Sequence, residues 1–130
     1  MSTGNVELVK SVYTAMKAGN ILSLFTKLSP DIRVWQTDEL PWGGTYVGLM
    51  QAKTFFGKVS AHLTPEVTLE RFIDSGDYVI GIGRTQGTTK DTGKPFDVPL
   101  LHLWEVRGGK VIGLQVFLEN APMLAALTAG

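Results

Sequence analysis

The chain lacks cysteine and carries no net charge. None of its 130 residues is cysteine, and 12 Lys and Arg balance 12 Asp and Glu. The absence of cysteine excludes disulfides, thiol nucleophiles and thiolate zinc sites. The balanced charge gives no general attraction to nucleic acid or to an anionic membrane surface, so we expect neither as a partner.

Histidine and long apolar runs are also scarce. The two histidines, His62 and His102, fall in different predicted elements, so we expect no metal site. No apolar run approaches the roughly 20 residues of a membrane span. The sequence begins without the basic start and apolar core of a signal peptide. We therefore expect one cytoplasmic domain over residues 1–130, long enough to bury a core.

Hydrophobic periodicity predicts helices first and strands afterwards. Apolar residues recur at helical spacing between Asn5, a predicted N-cap, and Gly19. A second helix follows Asn20, and a third carries Phe55. Alternating segments at 31–37, 66–74, 78–88 and 99–119 read as strands, with a loop at 38–48 and a short helix from Asn120. The order ααβαββββ(α) predicts an α+β fold with one curved sheet and its helices on one side.

The segment from Pro99 to Asn120 reads as a tight hairpin with two unlike faces. A two-residue Gly108-Gly109 turn would set Arg107 opposite Lys110 and His102 opposite Gln115. One face then mixes aromatic and polar groups: His102, Trp104, Gln115, Phe117 and Glu119. The other is an aliphatic row: Leu101, Leu103, Ile112, Leu114, Val116 and Leu118. We predict that the mixed face lines a pocket and that the row is an outer face joining two copies.

Three glycines suggest where the sheet bends. Gly81, Gly83 and Gly87 fall on the same face of one predicted strand. Glycine inside a strand marks a bulge, a bend or a close approach, so these positions favour a strongly curved sheet. The Gly81–Gly87 segment has the wrong spacing for a nucleotide-binding loop and lacks the surrounding βαβ unit.

Four segments together resemble a known family. They are Ala18-Gly19-Asn20, the stretch from Val34-Trp35 through Leu40-Pro41-Trp42 to Gly48, the Asp91–Pro95 turn, and His102-Leu103-Trp104 running through the hairpin to Glu119. In this order they resemble the NTF2-like superfamily and, within it, the SnoaL-like polyketide cyclases and ketosteroid isomerases. The resemblance implies a cone-shaped, cystatin-like α+β fold. A curved antiparallel or mixed sheet would wrap the N-terminal helices around an internal pocket, and two copies would form a homodimer.

The resemblance also implies where a site would lie. SnoaL-like cyclases pair an acid at the end of the last strand with a histidine on its neighbour, and Glu119 and His102 match these positions. Ketosteroid isomerases carry a tyrosine near Val12 or Tyr13, and a base near Gln36 or Thr37 that this chain lacks. The ligand-binding residues expected from the cone arrangement are Trp35, Thr37, Trp42, Tyr46, Phe55, Trp104, Gln115 and Phe117. The loop bearing Trp42 and Tyr46 would be either a lid or a plug.

Three functions follow as hypotheses. The first is cofactor-free acid–base catalysis, of isomerase, cyclase or hydratase type, on a small and largely apolar carbonyl compound, with His102 and Glu119 handling the proton. The alternative is a binding module that holds a small apolar ligand in the cone without chemistry. The third is an interaction protein that uses the aliphatic row. Simpler roles are also open. The Glu119 carboxylate would interact favourably with the dipole of the last helix at its N-terminus, and His102 would form a hydrogen bond with Gln115.

Overall fold

The helices and strands follow the predicted order with one addition. The computed structural model describes residues 2–128. Its helices are α1 (Ser2–Ala18), α2 (Ile21–Lys27), α3 (Leu49–His62) and α4 (Asn120–Leu127). Its strands are β1 (Leu28–Gln36), β2 (Gly44–Val47), β3 (Leu63–Ser75), β4 (Tyr78–Thr89), β5 (Pro95–Arg107) and β6 (Lys110–Leu118). Strand β2 lies inside the stretch that the sequence predicted as a loop. Within 2–128, no helix is long and apolar enough to cross a membrane.

All six strands form one sheet, in the order β2-β1-β6-β5-β4-β3. Every neighbouring pair is antiparallel except β1 and β6, which run parallel. The sheet is curved and unclosed, and the helices cover its inner face, the face that carries His102. The predicted α+β architecture is therefore confirmed.

The curvature depends on a bulge and a glycine at the same place. The β3–β4 register shifts between Leu69 and Arg71, and Leu69 lies opposite Gly83. A Cβ atom added at Gly83 would fall 1.9 Å from the carbonyl oxygen of Thr68. Only glycine permits this close approach of the two backbones, so the prediction that a strand glycine marks a close approach is confirmed at Gly83.

Of the two predicted asparagine N-caps, Asn20 is confirmed and Asn5 is wrong. Asn20 caps α2, since its side-chain oxygen accepts from the backbone N–H of Ser23 at 3.1 Å. The N-cap prediction for Asn5 is wrong, because α1 already begins at Ser2. The Asn5 amide instead donates to the carbonyl of Gly76 at 2.9 Å, which ties α1 to the β3–β4 turn.

The hairpin has the predicted turn but a different register. Gly108 and Gly109 adopt φ values of +59° and +74°, and Arg107 pairs with Lys110 as predicted. Beyond the turn, Val106 pairs with Val111 but Glu105 pairs with Gly113, so Ile112 is an extra residue on β6. His102 consequently lies opposite Val116, and the predicted pairing of His102 with Gln115 is wrong.

The bulge at Ile112 reverses which face of the sheet each later residue of β6 occupies. A shift of one residue exchanges the two faces of a strand. Leu114 and Val116, predicted for the outer face, are buried inside with Trp104. Gln115 and Phe117, predicted for the pocket, are exposed on the opposite face, which we call the outer face. The predicted faces are therefore correct along β5 and inverted along most of β6.

Candidate functional site

A polar cluster lies inside the sheet at His102, which is only 8% exposed. Tyr13 reaches it from α1, with its hydroxyl oxygen 2.5 Å from Nδ1 of His102. The indole Nε1–H of Trp104 donates to the same hydroxyl at 2.8 Å. Three aromatic side chains from one helix and one strand thus share a continuous hydrogen-bonded chain.

The partners of the Tyr13 hydroxyl favour one position for each proton. Indole nitrogen can only donate, so the hydroxyl accepts from Trp104, and its own proton has an acceptor among the described residues only if Nδ1 of His102 accepts. Nδ1 of His102 is then the acceptor, and a neutral imidazole carries its proton on Nε2. Within residues 2–128, Nε2 of His102 makes no hydrogen bond, and it is not one of the fully enclosed side-chain atoms that lack a partner. The cluster therefore holds one unused N–H donor.

Burial keeps both members of the Tyr13–His102 pair neutral. Burial lowers the pKa of His102 to about 4. It also raises the pKa of Tyr13 well above its usual value, although the hydrogen bond from Trp104 acts in the opposite direction. Moving the proton from Tyr13 to His102 would create two buried charges, and burial disfavours each of them. The pair is thus a set of fixed dipoles rather than an ion pair.

Ring packing holds Tyr13 in place. Its ring meets Trp104 edge-on at 5.4 Å between centroids, and Phe72 at 5.9 Å. Gly81 lies opposite His102 on β4. A Cβ atom at Gly81 would sit 3.2 Å from the Tyr13 hydroxyl and 2.9 Å from a methyl carbon of Leu69. Gly81 therefore leaves the space that the tyrosine occupies.

The structure does not bring the two predicted catalytic residues together. Glu119 follows the end of β6, is exposed, and is the N-cap residue of α4 without a capping side-chain bond. His102 lies inside the sheet against Tyr13. The position of Glu119 agrees with the simpler interpretation, in which the acid lies at the N-terminus of the last helix.

Four of the aromatic residues predicted to bind a ligand are packed in the core. They are Trp42, Tyr46, Phe55 and Trp104. Trp42 donates through Nε1 to Oε1 of Gln36 at 2.8 Å, and the Tyr46 hydroxyl donates to the Trp42 carbonyl at 2.9 Å. The loop before α3 is therefore a plug in this structure. Thr37, half-buried beside it, accepts from the backbone N–H of Glu39 at 3.3 Å.

The remaining three predicted residues line a groove on the outer face. Trp35, Gln115 and Phe117 border a cavity of about 350 Å³, and the rings of Trp35 and Phe117 lie 5.4 Å apart. Arg33 and Glu105 also line it, on either side of Gly113. The expectation that these three residues share an interior pocket with Trp104 is wrong. The bulge at Ile112 turns Gln115 and Phe117 outward, and Trp35, which pairs with Gln115, projects to the same outer face.

Sequence comparison identifies the family. A model of the SnoaL-like domain matches residues 9–114. The chain belongs to the SnoaL-like family. In this SnoaL-like chain, no group of three or more metal-ligating side chains occurs among the described residues. A comparison with curated proteins found no match.

Solved structures share the fold of this SnoaL-like protein. An NTF2-like protein of unknown function from Burkholderia pseudomallei has 23% identity and a TM-score of 0.89, over 97% of this chain and 98% of that one. A putative SnoaL-like polyketide cyclase from a Jannaschia species has 22% identity and a TM-score of 0.87, over 98% and 94%. A protein with a ketosteroid isomerase-like fold from Catenulispora acidiphila, in complex with trimethylamine, has 24% identity and a TM-score of 0.78, over 92% and 91%.

Tyr13 is a site residue that the sequence analysis does not assign to the site. It lies in the apolar stripe of the first helix, and the resemblance places the isomerase tyrosine near Val12 or Tyr13. The signal that could have found it is Gly81, which lies opposite His102 and makes room for a large side chain. The sequence interpretation used this glycine only as a mark of curvature.

Proposed function

We propose that the protein binds a small, largely apolar carbonyl compound on the inner face of its sheet. Nε2–H of His102 would donate to the carbonyl oxygen. The observation that carries this proposal is the row of hydrogen bonds from Trp104 through Tyr13 to Nδ1 of His102, which engages Nδ1 and leaves Nε2 without a bond to another described residue. An apolar site with a few placed polar groups is typical of small-molecule binding.

The electrostatics favour a carbonyl over a charged ligand group. A neutral imidazole donates a hydrogen bond without the cost of burying a cation, and a histidine with a lowered pKa can polarise a carbonyl in this way. The low pKa of His102, about 4, keeps it neutral near pH 7. Tyr13 fixes the tautomer, so the donor is present before the ligand arrives.

Catalysis is the second candidate, and the same donor supports it. Nε2–H of His102 would stabilise the negative charge that develops on a carbonyl oxygen as an isomerase, cyclase or hydratase reaction proceeds. Tyr13 would then take the supporting role that the sequence assigned to Glu119. The buried polar side chains of the described residues are Gln36, Thr85, Thr89 and His102. Because this set has no carboxylate to act as a base, we place binding before catalysis.

A matched pair of probes tests the binding proposal. α-Tetralone and tetralin share one bicyclic skeleton and differ in the carbonyl. We expect α-tetralone to quench tryptophan fluorescence and to bind about tenfold more tightly than tetralin, the scale of one hydrogen bond. His102→Phe should remove that difference, and Glu119→Gln should keep it. Equal binding of the two probes by the native protein would refute a carbonyl site at His102.

We also propose that the outer face joins two copies of the chain. Phe117 and Tyr78 line the groove on this face, and their side chains are 41% and 40% exposed. Arg33 and Glu105 flank Gly113 on neighbouring strands. A two-fold axis through this groove would set Arg33 of each copy against Glu105 of the other, so the face is complementary to itself.

A further inference from the structure

Gln36 holds a buried hydrogen-bond donor that the protein does not use. The residue is the last of β1 and is 2% exposed. Its Oε1 accepts from the indole of Trp42 at 2.8 Å, while its Nε2 has no partner. Among the described side chains, the other buried polar atom without a partner is Oδ1 of Asn120, at the start of α4. A buried amide that lacks a partner costs free energy, so such a position requires an explanation.

Exchanging the amide oxygen and nitrogen of Gln36 does not remove the problem. The indole of Trp42 is only a donor, so it requires Oε1 on its side. The Nε2 group then necessarily faces away from Trp42. The bond from Trp42 therefore explains the oxygen of the Gln36 amide, and it leaves the Nε2 group unexplained.

Gln36 and His102 lie in one row across the inner face. Gln36 pairs with Val116, and Val116 pairs with His102. Paired residues project to the same side of a sheet, and neighbouring strands lie about 4.8 Å apart, so the two Cα atoms are separated by roughly 10 Å. Val116, a buried residue of the hydrophobic core, lies between them.

We propose that Nε2 of Gln36 binds a second oxygen of the ligand. This inference rests on the proposed function, because it assigns the first oxygen to His102. The ligand class is then a flat compound with an apolar middle and an oxygen function at each end: a carbonyl at His102 and a hydroxyl or second carbonyl at Gln36. The plug residue Trp42 positions the amide by holding Oε1.

A probe that differs from α-tetralone by one oxygen tests the assignment. 6-Hydroxy-α-tetralone keeps the carbonyl and adds a hydroxyl at the far end of the same rings. We expect the native protein to bind it about three- to tenfold more tightly than α-tetralone in calorimetric titrations at pH 7. Gln36→Met should abolish this preference and leave α-tetralone binding unchanged. Glu119→Gln, the control, keeps both Gln36 and its bond from Trp42 and should keep the preference.

The outcomes separate this inference from the proposed function. If the native protein binds both ketones equally, or if Gln36→Met keeps the preference, the Gln36 assignment is wrong while the site at His102 stands. If neither ketone binds, both proposals fail. Should Gln36→Met not fold because the Trp42 indole loses its acceptor, the double variant Gln36→Met/Trp42→Phe removes that unpaired donor and makes the same comparison.

Discussion

The hydroxyl of Tyr13 lies 2.5 Å from Nδ1 of His102, and it joins the first helix to the fifth strand across 89 positions of sequence. The same hydroxyl accepts the indole N–H of Trp104. One phenol oxygen thus satisfies two buried groups of β5. Loss of this oxygen should affect both stability and the state of the imidazole.

Tyr13→Phe should lower the free energy of unfolding by roughly 2–6 kcal/mol. The change keeps the ring and leaves the Trp104 N–H and His102 Nδ1 buried without partners, each at a cost of about 1–3 kcal/mol. Urea denaturation measures the loss. Tyr78→Phe removes a hydroxyl from a tyrosine that is 40% exposed and should change stability by less than about 0.5 kcal/mol. Equal effects at the two tyrosines would contradict the role of the Tyr13 hydroxyl.

Stability should fall between pH 7 and pH 5 because of His102. Its pKa is about 4 in the folded protein, against an ordinary value of 6.5. In this window the unfolded chain binds more protons, so stability decreases as pH decreases, by roughly 2 kcal/mol for this group. Below about pH 4 both states are protonated and the loss is complete.

The comparison with His102→Gln isolates this effect. Other groups titrate in the native protein and in the variant alike, so the difference between the two stability curves reports His102. We expect the variant to lose less stability than the native protein between pH 7 and pH 5. Parallel curves would mean that the imidazole takes up its proton freely in the folded state.

Glu119→Gln should leave α-tetralone binding within a factor of two of the native value. The residue is exposed at the start of α4, apart from the His102 cluster. Fluorescence titration measures this, with His102→Phe as the positive comparison. A loss of binding as large as that of His102→Phe would restore the pairing of His102 with Glu119 that the sequence suggested.

The outer face should form a homodimer at micromolar concentration. Arg33→Glu or Glu105→Arg would set like charges against each other and should weaken the dimer by about tenfold or more. The double variant Arg33→Glu/Glu105→Arg exchanges the charges and should restore association. Sedimentation velocity measures each species. A native protein that sediments as a monomer, or a double variant no better than the singles, would contradict this interface.

Periodicity and caps predicted most of the fold. The stripe of α1, the Asn20 cap and the Gly108-Gly109 turn each depend on residues close in sequence, and all three were read correctly. The short edge strand β2 was missed because its four residues lie among loop-forming glycines and aromatics. Local rules do not show that Gly44–Val47 pairs with β1.

The site was predicted only in part, because it depends on one inserted residue. Ile112 fits the alternating pattern of a regular strand and is equally compatible with a bulge. The local sequence therefore does not show which face of the sheet Gln115, Phe117 and Glu119 occupy. His102 kept its predicted face because it lies on β5. Its partner Tyr13 comes from the other end of the chain, and only the fold brings it near.

The imidazole of His102 provides the most direct test of the account. Long-range ¹H–¹⁵N correlation spectra at pH 7, assigned with His102→Phe, report which ring nitrogen carries a proton. We predict a neutral ring protonated at Nε2, with resonances that shift when α-tetralone is added and stay unchanged with tetralin. A charged ring, a proton on Nδ1, or a spectrum that α-tetralone leaves unchanged would contradict the proposed site.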